Sequence, residues 1–400
     1  MGEWKKVKLG SLIRIKHGYA FPGAGITSDD NGKVLVTPGN FNIGGGFKES
    51  GKKFFSGEFP AEYCLSSGDL IVTMTDLSKA SDTLGYSAIV PSSSENQYLH
   101  NQRIGLVSVV DEIADRNFIY WLMRTPSYHQ EVVAGASGTT VKHTSPSRIY
   151  DVEVELPDLP TQRRIAAVLG ALDDKIEVNR KICENLEAQA QALFKAWFVD
   201  FEPFGGKRPE GWKMGKLGDV AAYYDGKIEA AKLTPASYFS TENMLANREG
   251  AVDAETVPQS GMVPLCDEGC VLVSNIRPYF KKIIRVNCDG GHSPDVLCFK
   301  AKALELQWYL YRMLWDDAFF AYVMSSTKGT KMPRGDKGHI MDYPCVLPLD
   351  NDIRKFNDTM ASLNGRIEVA NRESRDLAAM RDALLPKLMS GELAAEKVEG

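Results

Sequence analysis

The sequence predicts an α+β protein in which two similar domains of mixed helix and strand are joined by a pair of long antiparallel helices, a coiled coil. Three observations predict this fold. The chain is a diverged tandem repeat with a pseudo-twofold relation between its halves. Both halves have the same order of segments, and each half ends in a long heptad-patterned stretch. The 400 residues are enough for two or three domains.

The repeat is an ordered series of matching segments, which chance does not explain. The matches run from WKKVKLGSL at Trp4 to WKMGKLGDV at Trp212, from Gly68 to Gly269, from Gly138 to Gly329, and from Leu172 to Leu363. The last two pairs share an offset of 191 residues. The register is therefore kept from the loop into the helix that follows.

Each half has the same internal plan. Short β-like runs come first, separated by Gly, Asn, Ser and Pro, which are typical of loops. These runs are DLIVTM, GYSAIV and RIGLVSVV in the first half, and CVLVSN, KKIIRV and DVLCFK in the second. An aromatic-rich helical stretch, a glycine-led loop and a strand that ends in Leu-Pro follow, and then a long helix begins.

The two long helices give the clearest physical signal, because their apolar residues alternate in steps of four and three, the pattern of a heptad seam. The first seam is Ile165, Leu169, Leu172, Ile176, Asn179, Cys183, Leu186, Ala190, Leu193 and Trp197. The second is Phe356, Met360, Leu363, Ile367, Ala370, Ser374, Leu377, Arg381, Leu384 and Leu388. Asn179 either fixes the register of the pair or is a tolerated polar residue.

These patterns predict the following domain limits. A first domain covers 1–157, a central spacer helix 158–200, a linker 201–211, a second domain 212–348, a C-terminal spacer helix 349–392 and a tail 393–400. The aromatic residues Tyr120, Trp121, Trp308, Tyr309, Tyr311 and Trp315 recur at helical spacing. They are therefore expected to be core residues rather than platforms for stacked bases.

The composition, 44% hydrophobic and 25% charged, is that of a globular protein and excludes a mainly disordered chain. The net charge of −5 has the wrong sign for a protein that coats DNA nonspecifically. The charge is uneven, however: residues 1–54 hold nine Lys and Arg against four acids, and residues 271–340 hold eleven against six. These stretches are either two local polyanion-binding faces or ordinary solvated surface.

The chain has no apolar run of membrane-spanning length, and its N-terminus is not that of a secretory signal. Seven scattered cysteines are then expected to stay reduced in the cytoplasm.

The most distinctive stretch is LPDLPTQRRIAAVLGALDDKIEVNRKICENLEAQAQALFKAWF from Leu156. With GYAF from Gly18, NQRIGL from Asn101, GTTVKH from Gly138 and PEGWK from Pro209, it makes the chain resemble the specificity (S) subunit of type I restriction–modification enzymes over nearly its whole length. The second repeat departs more from the family pattern, with NDIRKFNDTM at its helix start and GTKMPRG in its loop.

The resemblance implies a non-catalytic subunit that reads double-stranded DNA. Each mixed domain would be a target recognition domain for one half of a bipartite, asymmetric site. The helices would set the spacing and dock two modification (methyltransferase) subunits. One copy of the chain would join these and the restriction (translocase and nuclease) subunits, and no membrane would be involved. S-adenosylmethionine, ATP and magnesium would be bound by the partner subunits.

No motif in the sequence argues for catalysis, a cofactor or a metal. FPGAG at Phe21 lacks the strand and helix of an S-adenosylmethionine loop, and NIRPY at Asn275 resembles the adenine methyltransferase signature only in outline. A phosphate-binding G-x-x-x-x-G-K-[ST] loop is missing. Zinc ligation is a weak interpretation of the widely spaced cysteines, for which buried thiols are favoured; these are Cys266, Cys270, Cys288 and Cys298.

Candidate DNA contacts were chosen by residue type, because Lys, Arg, Ser and Thr suit phosphates, and Asn, Gln and Arg suit base edges. In the first half these are Asn101, Gln102, Arg103, Thr139, Thr140, Lys142 and His143. In the second half these are Asn275, Arg277, Tyr279, Lys281, Thr330, Lys331, Arg334 and Lys337. A different function class stays open: a coiled-coil scaffold whose lobes bind proteins and read no DNA. An exchangeable orphan subunit is a variant of the DNA-reading class.

Overall fold

The computed structural model of the chain describes residues 4–78, 81–110, 112–327 and 331–398. These residues form two compact units, unit 1 within 1–178 and 373–400, and unit 2 within 179–372. In the described ranges, no helix combines the length and the apolar character needed to cross a membrane.

Unit 1 contains the first domain, which is built from short strands and three short helices. The strands are β1 (Lys5–Lys8), β2 (Ile13–His17), β3 (Ile26–Thr27), β4 (Lys33–Val36), β5 (Phe54–Phe55), β6 (Cys64–Leu65), β7 (Leu70–Thr73), β8 (Thr75–Asp76), β9 (Ser87–Ile89), β10 (Gln97–His100), β11 (Ile104–Val109), β12 (Lys142–His143) and β13 (Glu153–Leu156). The helices are α1 (Arg116–Leu122), α2 (Pro126–Ala134) and α3 (Pro146–Asp151).

The strands of unit 1 form two main sheets. A four-stranded antiparallel sheet has the order β2-β11-β7-β9, and a five-stranded sheet has the order β3-β5-β4-β10-β6. Two further pairs, β1 with β13 and β8 with β12, are antiparallel. The strand-like runs DLIVTM, GYSAIV and RIGLVSVV supply β7, β9 and β11, as the sequence predicts.

The aromatic stretch of the first half is two helices rather than one, and the prediction of one helical segment was wrong in this respect. The first helix ends at Leu122, and Thr125 caps the start of the second, since its side chain accepts a hydrogen bond from the Tyr128 N–H. Pro126 then occupies the first position of α2, where its missing N–H costs nothing. The predicted core role of Tyr120 and Trp121 is confirmed, because they are 8% and 2% exposed.

Unit 2 repeats this plan with fewer strands. They are β14 (Lys213–Lys216), β15 (Ala221–Tyr223), β16 (Lys227–Glu229), β17 (Tyr238–Phe239), β18 (Met262–Cys266), β19 (Val271–Ser274), β20 (Ile283–Arg285), β21 (Gly290–His292), β22 (Val296–Ala301) and β23 (Pro344–Leu347). The helices are α5 (Leu217–Val220), α6 (Gln307–Trp315), α7 (Asp317–Ser325) and α8 (Lys337–Met341). The sheet order β15-β22-β19-β20 matches β2-β11-β7-β9 strand for strand, so the sequence repeat is also a structural one.

The second aromatic stretch is likewise split, because the Asp316 carboxylate accepts a hydrogen bond from the Ala318 N–H and starts α7. Its aromatic residues belong to the core, as predicted. Tyr309 and Tyr311 are buried, and Trp308 and Trp315 are half-buried against the same cluster.

The two long helices are α4 (Leu159–Phe198) and α9 (Asp350–Met389), each of 40 residues. Each begins in one unit and ends in the other. In unit 1 their segments run antiparallel, because Asp173 is paired with Arg381 and the Lys175 Nζ lies 3.2 Å from a Glu373 carboxylate oxygen. In unit 2 the segments also run antiparallel: Cys183 Sγ lies 3.5 Å from Asn371 Oδ1, and the ring of Phe194 lies 6.4 Å from that of Phe356.

Every predicted seam residue of both helices is buried or half-buried. Asn179 is 2% exposed and so lies inside the packed surface. The buried face drifts by one residue towards the end of α4, where Phe194 and Phe198 are 4% exposed and the predicted Leu193 and Trp197 are only half-buried. A straight helix has 3.6 residues per turn, so a strict heptad seam rotates away from its partner over several turns.

Gln162 fastens the start of α4 to the first domain. Its side chain is fully buried, donates to the carbonyls of Ile113 (3.1 Å) and Pro157 (2.8 Å), and accepts from the Asp115 N–H (2.8 Å). Asp115 is also the N-cap of α1. One glutamine side chain therefore fixes two helix starts.

A buried arginine in each unit joins the aromatic helices to the long helices. In unit 1, Arg124 is 7% exposed and its Nη1 lies 3.0 Å from an Asp173 oxygen, while Asp173 also binds Arg381. In unit 2, Arg312 is fully buried, binds Glu187 of α4, and donates to Asn364 Oδ1 of α9 at 3.3 Å. Asp173 and Asn364 are 191 residues apart, so the two arginines bind equivalent positions of the two long helices.

The tail that follows α9 returns to the start of the chain within unit 1. Glu396 forms an ion pair with Arg164, and Leu393 and Trp4 pack on the same core. A Cβ at Gly391 would overlap the Trp4 indole. The first and last described segments of the chain are therefore neighbours.

Candidate nucleic-acid interface

In unit 1, Met74 joins the two loops that the sequence singles out. Its N–H donates to the Arg103 carbonyl at 2.9 Å, and its own carbonyl accepts from the Thr144 N–H at 3.0 Å. The turn Asn101–Arg103 and the loop 137–143 are thus held on either side of one residue. The structure brings together two groups of candidates that lie more than thirty residues apart in the sequence.

The glycine-led loop is closed by backbone hydrogen bonds. Ser137 and His143 exchange two such bonds, at 2.9 and 2.8 Å. Gly138 has φ 98°, and a Cβ at this position would overlap the Val141 carbonyl oxygen, so only glycine fits. Thr139 and Thr140 are consequently presented at the exposed tip.

The remaining candidates of this loop lie in β12, which pairs with β8. Lys142 lies opposite Asp76 and is half-buried. His143 lies opposite Thr75 and is exposed, and its Nδ1 is 3.1 Å from the Thr75 hydroxyl. The outer edge of the His143 ring is therefore free to face a ligand.

The candidates of the second loop differ in exposure. Asn101 is 6% exposed, and its Oδ1 accepts from the Arg103 N–H at 3.0 Å, so this side chain builds the turn. Gln102 and Arg103 are exposed at its tip. Gly18 allows this turn to approach β2, because a Cβ there would overlap the Asn101 carbonyl.

Asp76 binds Ser78 and Thr83, which follow β8 in the chain. It is 2% exposed, and its carboxylate accepts from the Ser78 N–H (2.6 Å), the Thr83 N–H (2.6 Å) and the Thr83 hydroxyl (2.7 Å). Burial acts to raise the pKa of the Asp76 carboxyl, but these hydrogen bonds outweigh it and hold the pKa below the ordinary value. The carboxylate stays charged and keeps the turn in place.

Unit 2 uses the same backbone arrangement. The Asn275 N–H donates to the Asp295 carbonyl at 2.9 Å, and its Oδ1 accepts from the Gly335 N–H at 3.1 Å. Ile276 pairs with Arg334, and the Arg277 N–H donates to the Pro333 carbonyl at 2.8 Å. Asn275 is thus occupied in holding the glycine-led loop against the end of β19.

The repeat offsets show that the frame is kept while the side chains change. His143 and Arg334 differ by 191 positions. His143 pairs with Thr75, two residues after the end of β7, and Arg334 pairs with Ile276, two residues after the end of β19. Arg103 in unit 1 has Asp295 as its counterpart in unit 2. Arg103 directly precedes β11, which pairs with β7, and Asp295 directly precedes β22, which pairs with β19. The two units therefore present different hydrogen-bonding groups from one scaffold.

The exposed basic residues of unit 2 are partly paired. The Arg334 Nη2 lies 2.9 Å from an Asp295 oxygen, and its side chain is 54% exposed. Lys337 is exposed at the start of α8, its carbonyl accepts from the Tyr223 hydroxyl at 2.9 Å, and its Nζ lies 5.9 Å from that ring's centroid. Lys331 is exposed, and Thr330 lies outside the described residues.

The last group of candidates forms the turn between β19 and β20. Lys281 Nζ lies 2.8 Å from an Asp317 oxygen, and Arg248 binds the same carboxylate. These two hydrogen-bonded cations lower the pKa of the Asp317 carboxyl, so it remains charged. Arg277 is half-buried and Tyr279 is 47% exposed.

Comparison with known proteins finds similarity to one family. Residues 1–188 match the family described as type I restriction modification DNA specificity domain. The specificity subunit of the type I restriction enzyme MjaIX from Methanocaldococcus jannaschii is 26% identical over 343 residues, which cover 79% of this chain and 76% of that protein. That of HindI from Haemophilus influenzae is 40% identical over 93 residues, which cover 22% of this chain and 20% of that protein.

The fold agrees with these matches. The crystal structure of a type I restriction–modification S subunit from M. genitalium has a TM-score of 0.57 at 16% identity, covering 97% of this chain and 96% of that one.

Residues 1–188 match this specificity-domain family, and the chain is similar along most of its length to type I restriction enzyme specificity subunits. The structure explains why three of the sequence motifs that carry this similarity need their particular residues. The Gln before the Ile-Ala pair is the buried Gln162, the glycine of GTTVKH is the left-handed Gly138, and NQRIGL forms the turn held by Met74.

Asp295 is the residue of this candidate interface that the sequence analysis did not predict. Carboxylates were not among the residue types that define the candidates. The equivalence of Asp295 and Arg103 follows from the paired strands, because each directly precedes the strand, β11 or β22, that pairs with β7 or β19. A carboxylate at this place accepts hydrogen bonds and suits the amino group of cytosine.

The cysteines of unit 2 behave as core residues. Cys266, Cys270 and Cys298 are buried and Cys288 is half-buried, all as free thiols. Burial raises the pKa of the Cys266 thiol to about 12, so this group is a protonated thiol in the core at neutral pH. Among the described residues, no group of three His, Cys, Asp or Glu side chains could hold a metal ion.

Proposed function

We propose that the chain is the DNA-reading subunit of a type I restriction–modification complex, in which each unit reads one half of a bipartite, asymmetric site on double-stranded DNA. One observation carries this proposal: both units have the same strand-and-loop frame, but the frame exposes His143 and Arg103 in one unit, and Arg334 and Asp295 in the other. Readers of two different sequences need a shared frame with different hydrogen-bonding groups.

The remaining candidates have roles that follow from their exposure. Thr139, Thr140, Lys331 and Lys337 are exposed at loop tips and helix starts, where they suit phosphate oxygens. Gln102 and Arg103 lie at the tip of a turn and suit base edges. Asn101 and Asn275 instead hold backbone N–H groups, and in this proposal they position the readers.

The long helices would separate the two readers and dock two modification subunits. What supports this role is that both helices have 40 residues and carry a continuous seam that is buried or half-buried throughout. A tandem repeat also offers two equivalent surfaces to two copies of a partner. The chain itself would be non-catalytic and present once per complex. S-adenosylmethionine, ATP and magnesium would be bound by the modification and restriction subunits, and the complex would act in the cytoplasm.

The test is to assemble the chain with its modification subunits, expose DNA to the complex and locate the methylated adenines. We expect two short sequences separated by a fixed gap of unread base pairs. Exchange of residues 1–157 for the same segment of a relative should then alter only one of the two sequences. A site that changes in both parts, or in neither, would contradict separate readers. Assembly without any sequence-specific binding would favour the protein scaffold instead.

A further inference from the structure

The turn between β19 and β20 displays two aromatic rings on the surface of unit 2. Tyr279 is 47% exposed and Phe280 is 39% exposed, and their ring centroids are 4.7 Å apart. They belong to a single 3-10 turn, Pro278–Phe280, in which Pro278 is buried. The two rings therefore form a small apolar tip on the surface of unit 2.

The backbone that lifts the rings is strained. Arg277 and Lys281, on either side of the turn, both have φ 50°. Asn247 and Arg248, with φ 54° and 66°, lie beside them, because the Arg248 N–H donates to the Lys281 carbonyl at 3.1 Å. Four of the six non-glycine residues with positive φ in the described chain are thus in this one cluster. Such conformations persist only where the surroundings enforce them, and they concentrate at functional sites.

The turn is fixed from both sides. Asp317 of α7 binds Arg248 and Lys281. The Arg277 N–H donates to the Pro333 carbonyl, which ties the turn to the glycine-led loop next to Arg334. The rings are therefore held rigidly beside the candidate DNA contacts, and a rigid group loses little freedom when it binds.

The charge around the rings identifies what they would contact. Arg277, Lys281 and Lys282 lie in or next to the turn, and Lys331 and Arg334 are on the adjoining loop. Two carboxylates also lie here, Asp317 paired with Arg248 and Lys281, and Asp295 paired with Arg334, so cations are in excess. Cations suit the phosphate backbone of DNA. The apolar tip between them suits the stacked bases inside that backbone. Apolar side chains such as Phe enter between base steps and unstack them, and aromatic rings stack on bases of any sequence.

We propose that Tyr279 and Phe280 form a wedge that enters the base stack and unstacks one step of the half-site read by unit 2. This inference rests on the proposed function and adds a mode of reading to it. The free energy needed to unstack a base step depends on its sequence and is lowest for flexible pyrimidine–purine steps. The half-site should therefore contain such a step where the wedge enters.

The wedge is tested with the assembled complex on a duplex that carries the mapped site. The fluorescent adenine analogue 2-aminopurine is placed at one position after another in the half-site read by unit 2. We expect its fluorescence to rise at one step when the unaltered complex binds, because fluorescence increases on unstacking. The double variant Y279A/F280A should abolish the rise and bind about 5- to 100-fold more weakly. Leu304→Ala, which removes another exposed apolar side chain of unit 2, should do neither.

A second duplex separates a wedge from a structural role. An abasic position at the responding step removes stacking in advance, so the double variant should bind it within about twofold of the unaltered complex. Failure of this rescue, an unchanged fluorescence rise in the double variant, or loss of assembly with the modification subunits would each overturn the wedge. A complex that methylates its site without any fluorescent step would refute the wedge and leave the proposed function intact. A complex without sequence-specific binding would refute both.

Discussion

His143 and Arg334 occupy the same place in the two units. His143 pairs with Thr75, just beyond the end of β7, and Arg334 pairs with Ile276, just beyond the end of β19. One presents an imidazole and the other a guanidinium from an equivalent backbone position. In the proposed function this difference would contribute to specificity, because imidazole and guanidinium offer different hydrogen-bonding groups to a base edge.

Replacement of Arg334 by Ala should relax recognition in one half-site only. A good bidentate contact discriminates between bases by about 1–3 kcal/mol, so we expect a loss of discrimination of that size in the half-site of unit 2. Competition binding with singly substituted duplexes measures it. Lys232→Ala removes an exposed cation of unit 2 that is paired with Glu229, and serves as the control. A lower affinity with unchanged discrimination in both half-sites would show that Arg334 acts on phosphates rather than bases.

Gly138→Ala should damage the interface of unit 1 more than its fold. The left-handed φ of 98° and the overlap with the Val141 carbonyl force the loop to move. We expect the affinity for the half-site of unit 1 to fall, with little change in the melting temperature. Gly170→Ala is the matched control, because Gly170 lies in α4 with open space around its Cβ position, and alanine there should stabilise the helix by about 0.5–1 kcal/mol. Equal behaviour of the two variants would show that the loop tolerates a side chain.

The stability of the fold should decrease below neutral pH because of two buried histidines. His100 and His292 end equivalent strands and are 1% and 5% exposed. Burial lowers the pKa of both imidazoles, against the opposing effect of hydrogen bonds to backbone carbonyls.

The unfolded chain therefore binds protons near pH 6.5 that the folded chain does not. The free energy of unfolding is highest above this pH and falls as the pH drops through the lowered pKa values. Urea unfolding at pH 7.5 and 5.5 measures the fall. It should be smaller in a variant with His100→Gln and His292→Gln, and an equal fall in that variant would show that other groups cause the pH dependence.

Insertion of four residues between Val178 and Asn179 tests the spacer role of the helices. It would add about 6 Å to α4, equivalent to roughly two base pairs. The insertion also introduces a stutter that locally unwinds a coiled coil, so some loss of stability is expected. Methylation mapping should show a longer gap between unchanged half-site sequences. An active complex with the original gap would refute the spacer role.

The fold could be predicted from the sequence where a pattern is long or repeated. The seams of α4 and α9 extend over many turns, and the runs that became β7, β11, β19 and β22 occur twice. The sequence-based predictions were wrong at positions where a local feature, such as a single capping residue, determines where a helix starts. Thr125 and Asp316 each cap a new helix and split an aromatic stretch that periodicity alone treats as continuous. Likewise, Phe194 and Phe198 replace Leu193 and Trp197 as the most buried residues because a straight helix departs from the heptad.

The candidate site could be predicted only in part, because residue type does not reveal what a side chain already binds. Asn101 and Asn275 have the chemistry of base readers, but their amide oxygens are occupied by backbone N–H groups. Asp295 and Phe280 are not among the residue types that suggested the candidates. Their place beside Arg334 and the glycine-led loop depends on pairings between distant segments, which only the folded chain shows.

The contact of the tail with Trp4 has a consequence for the order of the chain. Gly391 lies against Trp4, and the strand pairs β1–β13 and β14–β23 close each domain at the point where it begins. A short peptide could join the tail to the N-terminus, and a new opening could be made in the linker near residue 206. Such a circular permutant would keep every strand pair and core described above. The second domain would then precede the first, so the order in which the two domains are synthesised is not a requirement of the fold.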